Sequence, residues 1–206
     1  MTQNELEARI QTLEDVEAIK KLQNAYCFYL QHWQAEELIG LFSDSPDASV
    51  EIGEGVQWKG KEGIGKYFNY QDHFATQRSS PPPELLQQLM ALTAIVDVDP
   101  GGKTAKGRWY GFGCSSVPTE SKVQALFGSG IWENEFVKEG GKWKFKKLHY
   151  SSTFSTPYED GWVKTPVWKG RPARKDHPAS SPEHVAAQYP SSYIFPYHYK
   201  NPVTGK

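Results

Sequence analysis

His149 is the side chain of this sequence best suited to proton transfer, because an unperturbed imidazole titrates at about pH 6.5. It stands between Leu148 and Tyr150 in a stretch with the alternation of a strand. Such a histidine can be the acid or the base of a pocket. It can equally be half-buried and bonded to a backbone carbonyl. Both interpretations stay open, and we predict His149 as a catalytic residue.

Two pairs bring phenols and a guanidinium together. Tyr26 and Tyr29 are three residues apart and share one helical face, where their phenols could hold a substrate hydroxyl or simply pack in the core. Arg108 and Tyr110 are two apart in a strand and share one sheet face. On a concave face Arg108 could stabilise a phenolate, and on a convex face it would be solvated. We predict Tyr29 and Arg108 as catalytic residues and Tyr26 and Tyr110 as substrate-binding residues.

Three more side chains are candidates. Arg78 precedes Pro81-Pro82-Pro83, a stiff loop that could hold the guanidinium near a pocket mouth, although loop arginines are usually solvated. Glu51 lies in the first predicted strand and could face either pocket or solvent. Tyr67, together with Tyr70, could line a wall. We predict Arg78 as catalytic, and Glu51 and Tyr67 as contacts to substrate.

Metal, nucleotide and hydrolase chemistry lack sequence signatures. The six histidines are scattered, and Cys27 and Cys114 have no metal-type spacing. The glycine-rich stretches at 53–55 and 111–113 do not match phosphate-binding loops, and no serine elbow precedes a helix. We therefore expect neither a metal nor a cofactor.

Composition limits the class of protein. The 206 residues are 38% hydrophobic and 23% charged with a net charge of −1, which is typical of a globular protein without a field that attracts nucleic acid or anionic lipid. No stretch approaches the ~20 apolar residues of a membrane span, and the polar N-terminus does not read as a signal peptide. We expect a soluble cytoplasmic protein that binds neither nucleic acid nor membrane.

Helices are predicted first along the chain. Apolar residues recur at helical spacing from Leu6 to Leu30, which indicates one long helix, or two with a joint near Glu14-Asp15. A short helix should follow at 34–42 and end at the polar residues 43–47, which can bond to their own backbone. The next predicted elements are a hairpin over 48–58 and a helix over 61–74.

The apolar period then changes to two. Alternation over 92–98, 104–117, 124–137 and 143–154, with tight turns between the last three segments, predicts an antiparallel meander. Helices followed by strands indicate an α+β fold: a cone-shaped, curved antiparallel sheet packed against the N-terminal helices.

The C-terminal residues differ in composition. Half of the fourteen prolines lie in 159–206, together with five aromatic residues between Tyr189 and Tyr199. Proline has no N–H to donate in a β-sheet, so these residues are not expected to form a sheet of their own. They are also unlike a typical disordered tail, which contains few aromatic residues. We predict a domain over 1–158, and an extended arm over 159–206 that packs on this domain or on a neighbouring subunit.

Several strings in this order resemble the SnoaL-like branch of the nuclear transport factor two-like superfamily over residues 5–168. The resemblance implies a curved sheet around a pocket closed by helices, often in a dimer or trimer. Members include cofactor-free dehydratases, isomerases, dehydrochlorinases and cyclases, and also non-catalytic binding proteins. The strings are LEARIQTLEDVEAIKKLQNAY, GKTAKGRWYGFG, IWENEFVKEGGKWKFKKLHY and TPYEDGWVKTP.

The resemblance also implies where site residues should lie. Many enzymes of this branch pair an Asp at the end of the first helix with a His at the start of the third strand. Here the Asp position is Gln31, and the His position falls at Gln88 or Leu89. Neither glutamine nor leucine has useful basicity, so this proton relay is not carried over. We still expect Gln31 to contact substrate.

The family pattern adds three further positions. His32 and Trp33 follow the first helix at the expected pocket rim, although an exposed loop histidine is the commoner case. Trp132 precedes Glu133 and Glu135, which resemble an acidic pair of this branch and could instead form cross-strand pairs with lysines in solvent. We predict His32, Trp33 and Trp132 as substrate-binding residues.

Two classes of function remain. The aromatic C-terminal segment resembles bacterial members that act on lignin-derived aromatic dimers, expelling formaldehyde from a diarylpropane diol to leave a stilbene. We therefore predict a cofactor-independent lyase for a bulky hydroxylated aromatic substrate. The alternatives are a non-catalytic binder of hydrophobic molecules and a dehydratase or isomerase of a polycyclic substrate.

Overall fold

A long helix, a short one and a mixed sheet follow one another along the chain. The computed structural model describes residues 1–52, 57–68, 85–119, 122–169 and 186–206. In these ranges the helices are α1 (Gln3–Gln31), α2 (Ala35–Gly40), α3 (Gly60–Phe68) and α4 (Gly161–Lys164), and the strands are β1 (Ser49–Ile52), β2 (Gln57–Lys59), β3 (Gln87–Val98), β4 (Thr104–Pro118), β5 (Val123–Glu139) and β6 (Lys142–Pro157).

Helix α1 is one continuous helix of 29 residues, so the alternative with a joint near Glu14-Asp15 is wrong. It begins with a capping box, in which Thr2 accepts from the backbone N–H of Glu5 and the Glu5 carboxylate accepts from that of Thr2. At its middle, Asp15 accepts hydrogen bonds from Lys138 (2.6 Å) and from the Trp143 indole (2.9 Å). These bonds fasten the helix to the end of the β5–β6 hairpin.

The residues after α2 end that helix as predicted. The backbone N–H of Ser45 donates to the Ser43 hydroxyl at 3.1 Å, and that of Asp47 donates to the Ser45 hydroxyl at 3.3 Å. The Lys61 ammonium donates to the carbonyls of Ile39 and Phe42, and so links α3 to the C-terminal end of α2.

The six strands form one sheet in the order β2-β1-β6-β5-β4-β3. The predicted hairpin of β1 and β2 and the meander of β4, β5 and β6 are confirmed. The sheet is mixed, however, because β1 pairs with β6 in parallel. The connection from β1 to β6 includes α3 and the four strands β2 to β5, and so long a connection lets the two strands run in the same direction.

The sheet has an inner face, against which the helices pack, and an outer face. The inner face carries Trp109, Trp132 and Phe136, which lie in the core with Ile19 and Tyr26 of α1. Strand alternation places the intervening residues of β4 and β5 on the outer face. Register shifts in β3, β5 and β6 interrupt the ladder, and such bulges bend and twist strands. The α+β fold class is thereby confirmed.

Two facing glycines make room for a ring on the inner face. Gly111 and Gly130 are directly paired between β4 and β5. A Cβ atom on Gly130 would lie 2.4 Å from the Tyr150 ring, and one on Gly111 would lie 2.7 Å from it. Any larger residue would collide with Tyr150, so the glycines let this tyrosine lie across the sheet.

The described parts of the C-terminal segment contact the same chain. The backbone N–H of Trp168 donates to the carbonyl of Ser155, and that of Tyr189 donates to the carbonyl of Thr153. Further along, residues 193–198 lie over the outer face of the sheet. The predicted helix over 61–74 is described as far as Phe68, and the turn of the predicted hairpin at 53–55 lies outside the described residues.

Candidate functional site

The inner site is a set of aromatic rings between α1 and the inner face of the sheet. Tyr26 is completely buried, and its ring stands edge-on to Trp132 (6.3 Å) and to Phe145 (5.9 Å). Trp132 also contacts Tyr150, with ring centroids 5.1 Å apart. Two of the predicted substrate-binding residues, Tyr26 and Trp132, therefore lie together on the side where the helices cover the sheet.

Polar groups of this inner site are neutral donors and acceptors. Burial raises the pKa of the Tyr150 phenol well above its usual range, so the phenol keeps its proton at neutral pH. The Trp132 indole N–H is buried and has no hydrogen-bond partner among the described residues. A buried donor without a partner costs stability, and a substrate oxygen could supply that partner.

An amide pair fixes α1 over the sheet beside these rings. The Asn134 side-chain amide donates to the side-chain oxygen Oε1 of Gln23 at 2.8 Å. The side-chain oxygen of Asn134 accepts from the backbone N–H of His149 at 2.9 Å. Both amides are buried. Burial raises the pKa of the neighbouring Cys27 thiol on α1 to about 12, which leaves this cysteine without nucleophilic character at neutral pH.

The residues at the two positions of the family's Asp–His relay lie at the end of α1 and in β3. Gln31 is the last residue of α1 and is half-buried. Leu89 packs against the core from the inner face of β3, whereas Gln88 lies on the outer face, where its carbonyl oxygen accepts from Cys114. Leu89 is therefore the residue at the inward histidine position, and no imidazole stands there.

The other predicted residues near the end of α1 differ in exposure. Tyr29 and Tyr67 pack partly buried against the core, and Tyr67 also contacts Trp58 at 6.2 Å between ring centroids. His32 caps the C-terminus of α1 and is exposed, as a loop histidine commonly is. Trp33 is half-buried with a positive φ of 54°. Two residues named from the sequence, Arg78 and Tyr70, lie outside the described residues.

Arg108 and Tyr110 are on the outer face, away from the helices. Tyr110 is 55% exposed, but Arg108 is only 9% exposed because the C-terminal segment covers it. The Arg108 guanidinium bonds Glu133 at 2.8 Å and donates to the carbonyls of Phe195 and Pro196. Arg108 therefore fits neither expectation, since it is not on the concave face and not solvated.

His149 also lies on the outer face. Its Nε2 is 3.6 Å from Oε1 of Glu51, whose other oxygen is 3.3 Å from the Lys147 ammonium. Both His149 and Glu51 are more than nine-tenths buried, and the ring of Phe195 stands over His149 at 5.0 Å. Of the predicted site residues, Arg108, Tyr110, Glu51 and His149 thus share one face of the sheet, opposite Tyr26 and Trp132.

A cleft of about 270 Å³ separates this face from the C-terminal segment. We call it the outer cleft. Sequence reasoning missed His198, whose Nδ1 is hydrogen-bonded to Glu133 and whose Nε2 lies 3.4 Å from Asp97. The one signal for it was a histidine between two tyrosines in a segment rich in aromatic residues. Lining residues of the outer cleft include Lys106, Glu133, Glu135, Lys147, His149 and Phe195.

Fold and site together define an α+β domain of the nuclear transport factor two-like class. The sequence profile of the SnoaL-like domain matches residues 11–149, and the chain belongs to this family. No curated protein sequence matches the chain.

Solved structures of low sequence identity share the fold. A protein provisionally named a scytalone dehydratase, from Novosphingobium aromaticivorans, is 20% identical, with 80% of this chain and 99% of that one covered at a TM-score of 0.59. A hexachlorocyclohexane dehydrochlorinase (LinA, type 2) is 20% identical, with 72% and 92% covered at 0.58. An NTF2-like protein with a cystatin-like fold, also from Novosphingobium aromaticivorans, is 19% identical, with 73% and 90% covered at 0.53.

The described ranges contain neither a metal-binding cluster nor a membrane-spanning helix. No group of three or more His, Cys, Asp or Glu side chains in these ranges is arranged to hold a metal ion. None of the helices there combines the length and the apolar character that crossing a membrane requires.

Proposed function

We propose that the protein is a cofactor-free lyase that eliminates water, and then formaldehyde, from a hydroxylated aromatic substrate held between α1 and the inner face. The observation that carries this proposal is the buried group of Tyr26, Trp132 and Tyr150. These rings offer apolar walls together with O–H and N–H donors. Such a site suits a substrate that combines aromatic rings with hydroxyl groups.

The proposed reaction begins at a benzylic hydroxyl that is para to a phenol on the substrate. Tyr150 donates its phenolic proton to this hydroxyl, which leaves as water. The substrate phenol loses its proton, which passes through solvent to restore Tyr150, and the electron pair of the phenol oxygen moves into the ring to give a quinone methide. The substrate itself thus acts as the electron sink that a cofactor would otherwise supply.

The second step breaks a C–C bond. The terminal alcohol loses its proton, its oxygen forms the carbonyl of formaldehyde, and the bond between the terminal carbon and its neighbour breaks. The electrons of that bond form the C=C bond of the stilbene and restore the aromatic ring as a phenolate, which takes up the proton that the alcohol lost. A diarylpropane diol gives a stilbene, water and formaldehyde, so atoms and electrons balance. No strongly basic residue is needed at the carbon, which agrees with Gln31 and Leu89 standing where the family's relay would be.

The similar structures support elimination in general. Two of them bear the names of a dehydratase and a dehydrochlorinase, and both names denote eliminations. The lignin-derived substrate is the finer part of the proposal. It is supported by the aromatic inner site and by the aromatic C-terminal segment.

A second candidate function is non-catalytic binding of an apolar molecule. It is favoured by one observation, namely that the inward relay positions hold Gln31 and Leu89, so the described part of the inner site has no carboxylate–imidazole pair. A binding protein would use the same rings and the indole donor without turnover.

One assay separates the two candidates. The protein is incubated with a phenolic diarylpropane diol while stilbene absorbance and trapped formaldehyde are followed. The matched control is the same diol with the phenol methylated, which cannot form a quinone methide. The lyase gives both products from the phenol only. Saturable binding of the phenolic diol without either product would establish the binding protein instead.

A homo-oligomer, dimer or trimer, remains a proposal as well. Four large apolar side chains on the outer face of β3 and β4 support it, because exposed apolar clusters of this kind mark interfaces. Analytical ultracentrifugation checks it, and a monomer at micromolar concentration would contradict it. The four side chains, each at least 39% exposed, are Met90, Leu92, Tyr110 and Phe112.

A further inference from the structure

The outer cleft lies on the side of the sheet opposite the inner site and has a floor and a wall of different chemistry. Its floor is formed by charged side chains of β4, β5 and β6, and its wall by aromatic residues of the C-terminal segment. Its volume of about 270 Å³ is smaller than that of typical pockets for drug-sized ligands. The cleft is therefore large enough for a molecule with a single ring.

The charges of the floor cancel. In the strand register Lys106 lies opposite Glu135, and Glu135 lies opposite Lys147. With Glu133, the lining holds two ammonium and two carboxylate groups. A ligand with a net charge would meet a like charge wherever it lay. A hydroxyl, in contrast, can donate to a carboxylate and accept from an ammonium at the same time.

The wall is held in place before any ligand binds. Arg108 donates to the carbonyls of Phe195 and Pro196 and stacks over the Tyr197 ring at 4.4 Å. His198 is fastened to Glu133 next to this contact. Because these bonds already order the C-terminal segment, ligand binding does not carry the entropic cost of ordering it.

A carboxylate–imidazole pair lies at the floor beneath this wall. His149 lines the cleft, with Glu51 behind it at 3.6 Å and the Phe195 ring over it at 5.0 Å. An imidazole can form a hydrogen bond with a phenolic hydroxyl. The described part of the inner site has no carboxylate–imidazole pair, whereas Glu51 and His149 lie next to each other on the outer face.

We infer that the outer cleft is a second binding site, for a small uncharged phenol of one ring. The ring would lie against Phe195, and the hydroxyl would bond His149 and the charged groups of the floor. This inference rests on the outer cleft alone and does not depend on the lyase activity proposed for the inner site.

The test uses 4-methylphenol, which is uncharged at pH 7, as the probe. Its binding is followed by NMR on the ring signals of His149, identified by their loss in His149→Gln. We expect saturable shifts of these signals. Benzoate and benzylammonium, which have the same ring but a charge, should bind at least about tenfold more weakly, because each meets like charges.

Substitutions in the wall locate the site. Phe195→Ala should weaken 4-methylphenol binding about tenfold through loss of the ring contact. Phe195→Leu, which keeps apolar bulk on the segment, should weaken it about threefold. The matched control is Tyr158→Ala, which removes an exposed aromatic ring outside the lining and should leave binding unchanged.

Three outcomes would overturn the inference: His149 signals that do not respond to 4-methylphenol, equally strong binding of benzoate, or full binding to both Phe195 variants. Tyr150→Phe separates this inference from the proposed function. This variant alters the inner site and should keep 4-methylphenol binding at the outer cleft, whatever happens to stilbene formation.

Discussion

The inner and outer faces of the same sheet carry different chemistry. On the inner face, Tyr26, Trp132 and Tyr150 present rings with neutral donors, and burial keeps the Tyr150 phenol protonated. On the outer face, beneath the C-terminal segment, Arg108 is bonded to Glu133 and His149 lies 3.6 Å from the Glu51 carboxylate. Buried ionisable groups therefore need not be catalytic, because ion pairs with a purely structural role are also buried.

The largest expected effect is on the inner face. Trp132→Ala should destabilise the protein by about 3–5 kcal/mol, because it removes a completely buried indole between Tyr26 and Tyr150 and leaves a cavity. Urea unfolding followed by circular dichroism measures this. Trp132→Phe is the matched control and should cost clearly less. A loss below about 1 kcal/mol for Trp132→Ala would mean that the inner face is not the core.

The next effect is on the outer face. Arg108→Met should destabilise by about 2–3 kcal/mol, because the largely buried Glu133 carboxylate loses its guanidinium partner. It should also free the segment at 193–198, so limited proteolysis should cleave there faster than in the wild type. Adding Glu133→Gln should restore part of the stability. Unchanged proteolysis of Arg108→Met would contradict the role given to Arg108.

A smaller effect concerns the attachment of α1. Burial acts to raise the pKa of Asp15, but hydrogen bonds from Lys138 and Trp143 outweigh it and hold the pKa below its usual range. A carboxylate with a depressed pKa stabilises the fold above its unfolded pKa of about 3.9, and this stability is lost as pH falls through the lower folded value.

Asp15→Asn should therefore cost about 1–2 kcal/mol at pH 7, with a gap to wild type that closes toward pH 3. Urea midpoints at pH 7, 5 and 3 check this expectation. Glu14→Gln, a neighbouring carboxylate on the same helix, is the control and should have no such dependence. A gap that stayed constant over this range would rule out the ion pair as its cause.

The smallest effect is expected at Tyr110. Tyr110→Ala should change the free energy of unfolding by less than about 0.5 kcal/mol, since more than half of this side chain is exposed. The comparison with Trp132→Ala tests the assignment of the two faces directly. A loss of more than about 2 kcal/mol of unfolding free energy in Tyr110→Ala, at a concentration where the protein is monomeric, would contradict this assignment. It would show that Tyr110 is more buried than its 55% exposure indicates.

Periodicity was sufficient to predict α1, α2 and the meander of β4, β5 and β6, but not α4 or the bulge that puts Leu92 and Val96 on opposite faces of β3. It could not predict which face turns inward, and Arg108 and Tyr110 were therefore left open. A usable signal was present: Gly107 and Gly111 alternate with Trp109, and side chains at these glycines would collide with the rings of Trp109 and Tyr150. Glycines that make room for rings indicate the inner face.

The remaining features depend on contacts between distant parts of the chain. The parallel pairing of β1 with β6 joins residues about a hundred positions apart, and local alternation does not encode strand direction. His198 meets Glu133 across 65 residues, so neither could be predicted as a partner of the other. The family pattern located Gln31, but only the bulged register of β3 decided between Gln88 and Leu89.

The central claim is that reaction occurs on the inner face, and one measurement tests it directly. Stilbene formation from the phenolic diarylpropane diol is compared for Tyr150→Phe and His149→Gln, both checked for intact folding. We predict that Tyr150→Phe lowers kcat about 100-fold, as expected for loss of a positioned acid, while His149→Gln changes kcat by less than about threefold. Full activity of Tyr150→Phe with a large loss in His149→Gln would contradict the claim and move the reaction to the outer cleft.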